Sequence, residues 1–316
     1  MAADKDAPCV MVTGAAGVLA QATITRLARS HKVVAVDFRR AVEIGEDITS
    51  YRVDFLKRGM EDIFRNHDIQ GVIHLGRIGT DIMGRFFRYN ANVIGTQKLF
   101  DLCVKYGVRN VVVLSSFFVY GANAYNPALL DEDTPLKASE ITRNLIDSVE
   151  LENLANIYLY KHPELNMTIL RPCNIAGPGV RNNIGQLLSR KFAPVLWGFN
   201  PVMQFIHLED MADAVVLAYE KNIPGVFNVA PEDWVAFREV LKRCGIHGVP
   251  MISIPTAVPM FLSRALGWKA FPSHLVKYFK YPVIMDGSRF AKAFGFKPRR
   301  SLEEIFTHYR EFKKGL

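Results

Sequence analysis

The residues best placed to do chemistry come early in the chain. Gly14-Ala15-Ala16-Gly17-Val18-Leu19-Ala20 follows the β-branched run Val10–Val12 and opens an apolar helical pattern over residues 18–29. A glycine-rich turn at a strand–helix junction lets backbone N–H groups close on a pyrophosphate at the helix N-terminus. Asp37 follows about 20 residues later, at the end of a second β-rich run. A carboxylate there accepts hydrogen bonds from the adenosine ribose hydroxyls. The same charge repels a 2′-phosphate, so these features together predict NAD rather than NADP. Arg39 and Arg40 work against that preference.

These groups need a scaffold, and the apolar runs supply one. Strands are expected at Val10–Val12, Lys32–Val36, Gly71–Leu75, Asn110–Leu114 and Thr168–Leu170, with helical stretches between them such as Asn92–Tyr106. Strands alternating with helices imply parallel pairing through crossovers, and continuous apolar strands imply a sheet covered on both faces. The expected fold is therefore α/β, a Rossmann-type doubly wound parallel sheet. Residues 1–175 form the dinucleotide-binding domain. Past residue 175 the alternation weakens, so residues 176–316 are read mainly as a smaller substrate-binding region, with parts of 205–230 returning to the first domain.

Composition narrows the function classes. Of 316 residues, 49% are hydrophobic and 22% charged, as in an ordinary globular protein. No run reaches the ~18 apolar residues of a membrane span, and no signal-peptide pattern precedes Pro8, so a cytoplasmic location is expected. Cys9, Cys103, Cys173 and Cys244 are scattered without a Cys-x-x-Cys pair, which speaks against a disulfide framework or a metal site. The net charge of +8 is spread out, and no nucleic-acid motif accompanies it. Lys269, His274, Lys277 and Lys280 interleave with Trp268, Phe271, Tyr278 and Phe279, a mixture that suits either a peripheral lipid contact or a lid.

The ordered motifs resemble those of an extended short-chain dehydrogenase/reductase of the NAD-dependent epimerase/dehydratase type, over nearly the whole chain. Val12-Thr13-Gly14-Ala15-Ala16-Gly17 resembles the opening motif, with Ala20 in place of its last glycine. Asp54-Phe55 is similar to the acidic site for the adenine amino group. His74-Leu75-Gly76-Arg77 stands where the family has His-Leu-Ala-Ala. Asn92-Val93-Ile94-Gly95-Thr96, Ser115-Ser116-Phe117-Phe118-Val119-Tyr120-Gly121, Arg171-Pro172-Cys173-Asn174 and Phe205-Ile206-His207 are similar to later landmarks. The resemblance implies an NAD site built from Gly14, Ala16, Gly17, Val18, Leu19, Asp37, Phe38, Arg39, Asp54, Phe55, Leu75, Gly76, Arg77, Asn92, Leu114, Ser115, Pro172 and Asn174. It also implies a small-molecule substrate and admits a homodimer through a four-helix contact.

The resemblance breaks at the reacting centre. The family uses Tyr-x-x-x-Lys on a helix, the lysine lowering the tyrosine's pKa so that the phenol acts as acid and base. Ser116 matches the accompanying serine. Counting back from Arg171-Pro172 puts the couple near Leu145 and Val149, where neither residue type stands, and the couple is expected to be missing from the chain. The diphosphate-holding arginine expected two residues before Phe205 is Met203, which disfavours a UDP-sugar. Ile254, Val258, Met260, Phe261, Leu262, Leu266 and Trp268 offer an apolar lining instead. Ser116, Tyr120 and Asp147 are the catalytic candidates, with His74 as a further proton acceptor and Arg77 as a contact for an anionic group. Two readings result: an atypical NAD-dependent oxidoreductase acting on a hydroxyl, or a non-catalytic NAD-binding structural or sensing protein.

Overall fold

A computed structural model describes residues 7–45, 48–79, 84–251 and 273–314. The apolar runs Cys9–Thr13 (β1), Lys32–Asp37 (β2), Ile69–His74 (β4), Asn110–Leu114 (β5) and Met167–Pro172 (β6) are strands of one sheet, joined by Ile48–Arg52 (β3) and Gly225–Val229 (β11). The order is β11-β6-β5-β4-β1-β2-β3, and every pairing is parallel. All residues of β1 and β6 are buried, as a doubly covered sheet requires. β3 carries Thr, Ser and Arg and lies at an edge, which is why its short run escapes the apolar pattern.

Alternate residues of β1 feed two cores. Val10 and Val12 join one face with Ala20, Ile24 and Leu27 of α1 (Val18–Leu27) and Met211, Ala214 and Val215 of α8 (Leu208–Lys221). Cys9 and Met11 join the other with α2 (Gly59–Asn66), α4 (Gly95–Lys105) and α6 (Ile146–Lys161). Arg26 fastens α1 to α8 through Glu209 at 2.6 Å and Asp213 at 2.5 Å. Further short helices include α3 (Arg85–Tyr89), α5 (Ala138–Ile141), α7 (Asn183–Leu188), α9 (Phe237–Arg243) and one at Ser288–Phe294.

Beyond β6 the chain forms three two-stranded units: β7 (Asn174–Ala176) with β10 (Phe205–His207), β9 (Val202–Met203) with β12 (Val235–Ala236), and β8 (Phe192–Leu196) with β13 (His247–Met251). The final helix, Leu302–Lys314, packs back on β10, with Phe306 edge-on to Phe205. The four cysteines are free and buried. Among the described residues no helix is long and apolar enough to cross a membrane. Tyr278 and Phe279 are buried, so these two aromatics of the basic–aromatic stretch face inward and not toward a lipid. Trp268 and Phe271, and the apolar residues 254–268, lie outside the described residues.

Candidate functional site

The chain enters the sheet at β1, builds outward through β2 and β3, then returns to the other side of β1 with β4. Such a reversal opens a crevice at the C-terminal ends of the two central strands. Gly14 and Gly76 meet there. Gly14 has φ +71°, and a Cβ on it would lie 2.6 Å from Gly76 Cα, so only glycine fits. Gly17 donates its N–H to Gly14 O at 2.8 Å, and its own carbonyl accepts from Gln21 at 2.9 Å, starting α1. The result is a groove of about 900 Å³ whose lining includes Gly14, Gly17, Asp37, Phe38, Arg39, Asp54, Phe55, Leu75, Gly76, Arg77 and Asn92, with Ile78 and Ala91 in addition.

Asp37 is 4% exposed, and each of its oxygens is held by a backbone donor, Ala16 N at 3.0 Å and Arg39 N at 2.8 Å. A carboxylate oxygen accepts more than one hydrogen bond, so Asp37 keeps acceptor capacity for a ribose. Arg39 Nε lies 3.5 Å from the same carboxylate. The other expected cofactor residues stand behind or beyond the groove. Val18 packs on the Gly179 turn, and Leu19 packs on the core. Leu114 and Pro172 end β5 and β6. Ser115 is buried and donates to Glu152, while Asn174 lines a second cavity.

His74 lies at the end of a buried relay. Thr96 Oγ1 donates to Asn92 O at 2.6 Å, so its hydroxyl proton is committed and His74 Nε2 must donate to it at 2.9 Å. His74 Nδ1 then accepts from Thr13 Oγ1 at 2.7 Å. Burial lowers the His74 pKa to about 4. A ring with both nitrogens engaged and no affinity for a proton at neutral pH is no general base, which corrects that expectation.

Tyr120 and Asp147 are also interior. Tyr120, 1% exposed, places Oη 2.7 Å from Asn228 Oδ1 and 2.9 Å from Asp131 O, and accepts from Arg171 Nη1 at 2.8 Å. Burial pushes its pKa up to about 12, against the opposing pull of Arg171. Arg171 in turn pairs with Glu152 of α6. Asp147, 3% exposed, accepts from Arg88 Nε at 3.2 Å and Asn92 Nδ2 at 2.8 Å. Asn92 also bonds both the N–H (2.8 Å) and the carbonyl (2.9 Å) of Ile78, pinning the loop after β4. Neither Tyr120 nor Asp147 is among the residues lining the groove. Ser116 differs from both. It is half-buried, precedes the turn Phe117–Tyr120, and its Oγ accepts only from Phe118 N, at 3.2 Å, among the described residues.

A Tyr-x-x-x-Lys spacing does occur, contrary to expectation, at Tyr309 and Lys313 of the final helix. Tyr309 Oη sits on Gly177, accepting its N–H at 3.1 Å and donating to its carbonyl at 3.3 Å, and Lys313 Nζ donates to Leu188 O at 2.7 Å. Both hold structure, away from the groove lining.

A second, small cavity opens next to Ser116, lined by Phe117, Phe118, Asn174, Asn183, Ile184, Val202, Met203, Tyr278, Phe279 and Val283. Tyr278 Oη donates to Phe118 O at 2.8 Å, and Asn174 Nδ2 donates to Gln204 O at 2.9 Å. Sequence reasoning missed Asn183, Ile184 and Val283. Only the Asn182 side chain that caps α7 at Gly185 N (2.8 Å) signals where that wall begins.

Crevice, glycine turn and the buried carboxylate at the end of β2 define a dinucleotide-binding α/β protein. Comparison with known proteins is more specific: the model of the NAD dependent epimerase/dehydratase family matches residues 10–230, and the chain belongs to that family. Its cofactor is NAD. The UDP-glucose 4-epimerase of Bacillus subtilis is 33% identical, covering 83% of this chain and 92% of its own length. An uncharacterised protein of Mycobacterium tuberculosis is 26% identical, covering 95% of this chain and 82% of its own. DesIV, a dTDP-glucose 4,6-dehydratase of Streptomyces venezuelae solved with NAD and TYD, shares the fold at TM-score 0.77 and 18% identity, covering 97% of each chain. MoeE5, solved with UDP-glucuronic acid and NAD, does so at TM-score 0.75 and 24% identity, covering 97% of this chain and 99% of its own.

Proposed function

We propose that the protein is an NAD-dependent oxidoreductase acting in the cytoplasm on the hydroxyl of a small molecule seated in the second cavity. Ser116 carries this reading. It is a half-buried hydroxyl at the end of β5, beside the β4 wall of the groove, and the next two residues line the second cavity. The groove residues would hold NAD, which would supply a hydride acceptor for the carbon that bears the hydroxyl. Ser116 orients that hydroxyl. Tyr120 and Asp147 position the surrounding elements, and the proton leaves to water, since the first turn of α6 offers no tyrosine or lysine. General acid–base help is worth about 10²–10⁴-fold, so turnover is slow.

Met203 is buried where the diphosphate-holding arginine is expected, and the described lining of the second cavity carries no charged side chain. A charge-assisted hydrogen bond contributes roughly 1.5–3 kcal/mol, so UDP-sugars bind weakly on this reading, in contrast to MoeE5, which was solved with UDP-glucuronic acid. Ile157 and Tyr160 are exposed on α6 and suit the helix contact of a homodimer.

The experiment follows NADH absorbance across sugar, steroid and fatty alcohols for the wild type and Ser116→Ala. Slow wild-type turnover, at least about tenfold lower in the variant, is expected. Turnover unchanged by Ser116→Ala overturns the role of Ser116, and a large saturable thermal stabilisation by UDP-glucose overturns the substrate reading.

A further inference from the structure

We propose that Arg77 supplies the positive charge for the nicotinamide half of the dinucleotide, delivered from the loop after β4 instead of from α6. This rests on the groove being the NAD site. Arg77 directly follows Gly76, which packs against the glycine turn, and it lines the groove. Its side chain reaches over to α6, where Nη2 donates to Ser148 Oγ. A guanidinium there puts a fixed cation on the first turn of α6, the turn where the missing lysine is expected.

The groove has a use for such a charge. Among its described lining residues the cations are Arg39 and Arg77. Arg39 is drawn to Asp37 at the adenosine end, leaving Arg77 for the remainder. The backbone next to Arg77 is fastened. Asn92 fixes both backbone groups of Ile78, the next residue. Asp147 provides counter-charge, and its buried Oδ1 has no hydrogen-bond partner among the described residues. Desolvation weakens Arg77's hold on its proton, Asp147 strengthens it and Arg88 weakens it again, but a guanidinium remains charged throughout. Ser148 is a neutral partner, so the charge of Arg77 is held without being neutralised at that contact. Among the described residues the Ser148 hydroxyl is the hydrogen-bond partner of the Arg77 guanidinium, and the remaining N–H donors suit phosphate or ribose oxygens.

Isothermal titration of AMP, ADP-ribose and NAD into the wild type, Arg77→Lys, Arg77→Gln and the double variant Arg77→Gln/Ser148→Lys tests the proposal without any need for turnover. Arg77→Gln is expected to weaken NAD and ADP-ribose by about 10- to 100-fold and to leave AMP unchanged. Arg77→Lys keeps the charge but not the fork of donors, so it is expected to lose clearly less affinity than Arg77→Gln. The double variant regains about tenfold or more, because the cation returns to α6. Melting temperatures report whether each variant is folded. Should the double variant not fold, the contrast between Arg77→Lys and Arg77→Gln decides alone. Wild-type NAD affinity in Arg77→Gln, or an equal loss for AMP, overturns the proposal. Wild-type protein that binds neither AMP nor NAD overturns instead the assignment of the groove.

Discussion

At the scale of single residues, the site separates groups that bind from groups that only hold. Asp37 binds. With its carboxylate removed, the ribose loses an acceptor, the Ala16 and Arg39 amides lose their partner, and the charge that repels a 2′-phosphate disappears. Asp37→Ala is expected to weaken NAD by about tenfold or more and NADP by less, as titration calorimetry with both nucleotides will show. His74 holds. Its folded pKa of about 4 lies below the usual 6.5, so the native state refuses a proton that the unfolded chain accepts. The stability it contributes is full above pH 6.5 and is lost as the pH falls toward 4, to a limit of about 3 kcal/mol. Urea denaturation at pH 7.5 and pH 5 checks this. The wild type should lose more stability between those values than His74→Asn, and equal losses would remove His74 from the account.

At the scale of elements, the crevice between β1 and β4 depends on two backbones touching. Gly14→Ala forces a Cβ to 2.6 Å from Gly76 Cα at a φ of +71°. The strands must part, so NAD affinity is expected to fall by at least about tenfold in a fluorescence titration, with most of the fold retained by circular dichroism. This part of the site was legible because its signals are local: a glycine turn, then a carboxylate, each at a strand end. The interior setting of Tyr120 and Asp147 was not legible because their partners are remote. Asn228 comes from β11, Arg88 from α3 and Arg171 from β6, and no spacing announces that these will close over the two side chains. The second cavity was illegible for the same reason, since its walls converge from the turn after β5, α7, β9 and the segment 273–283. The reverse error occurred at Tyr309 and Lys313, where a meaningful spacing exists and the fold uses it for anchoring.

At the scale of the whole molecule, that anchoring ties the last helix to the loop after β7. Tyr309 Oη is the only described partner of Gly177 N among side chains, and the amide is buried. Tyr309→Phe is therefore expected to cost about 1–3 kcal/mol in chemical denaturation while leaving NAD affinity unchanged. A matching loss of NAD binding or of hydride transfer would place Tyr309 in the reacting centre after all.

The edge position of β11 has a consequence for how this chain is made. Gly225–Val229 pairs along Thr168–Pro172 and supplies the last strand of the sheet, yet more than fifty residues of other structure separate the two in sequence. While the ribosome is still adding those residues, β6 presents a row of unpaired backbone groups flanked by apolar Ile169 and Leu170, a template for pairing with another nascent chain. The sheet cannot be completed early. Its final strand, β11, arrives only after the segment that follows β6 has been synthesised, so the sheet and that segment mature together.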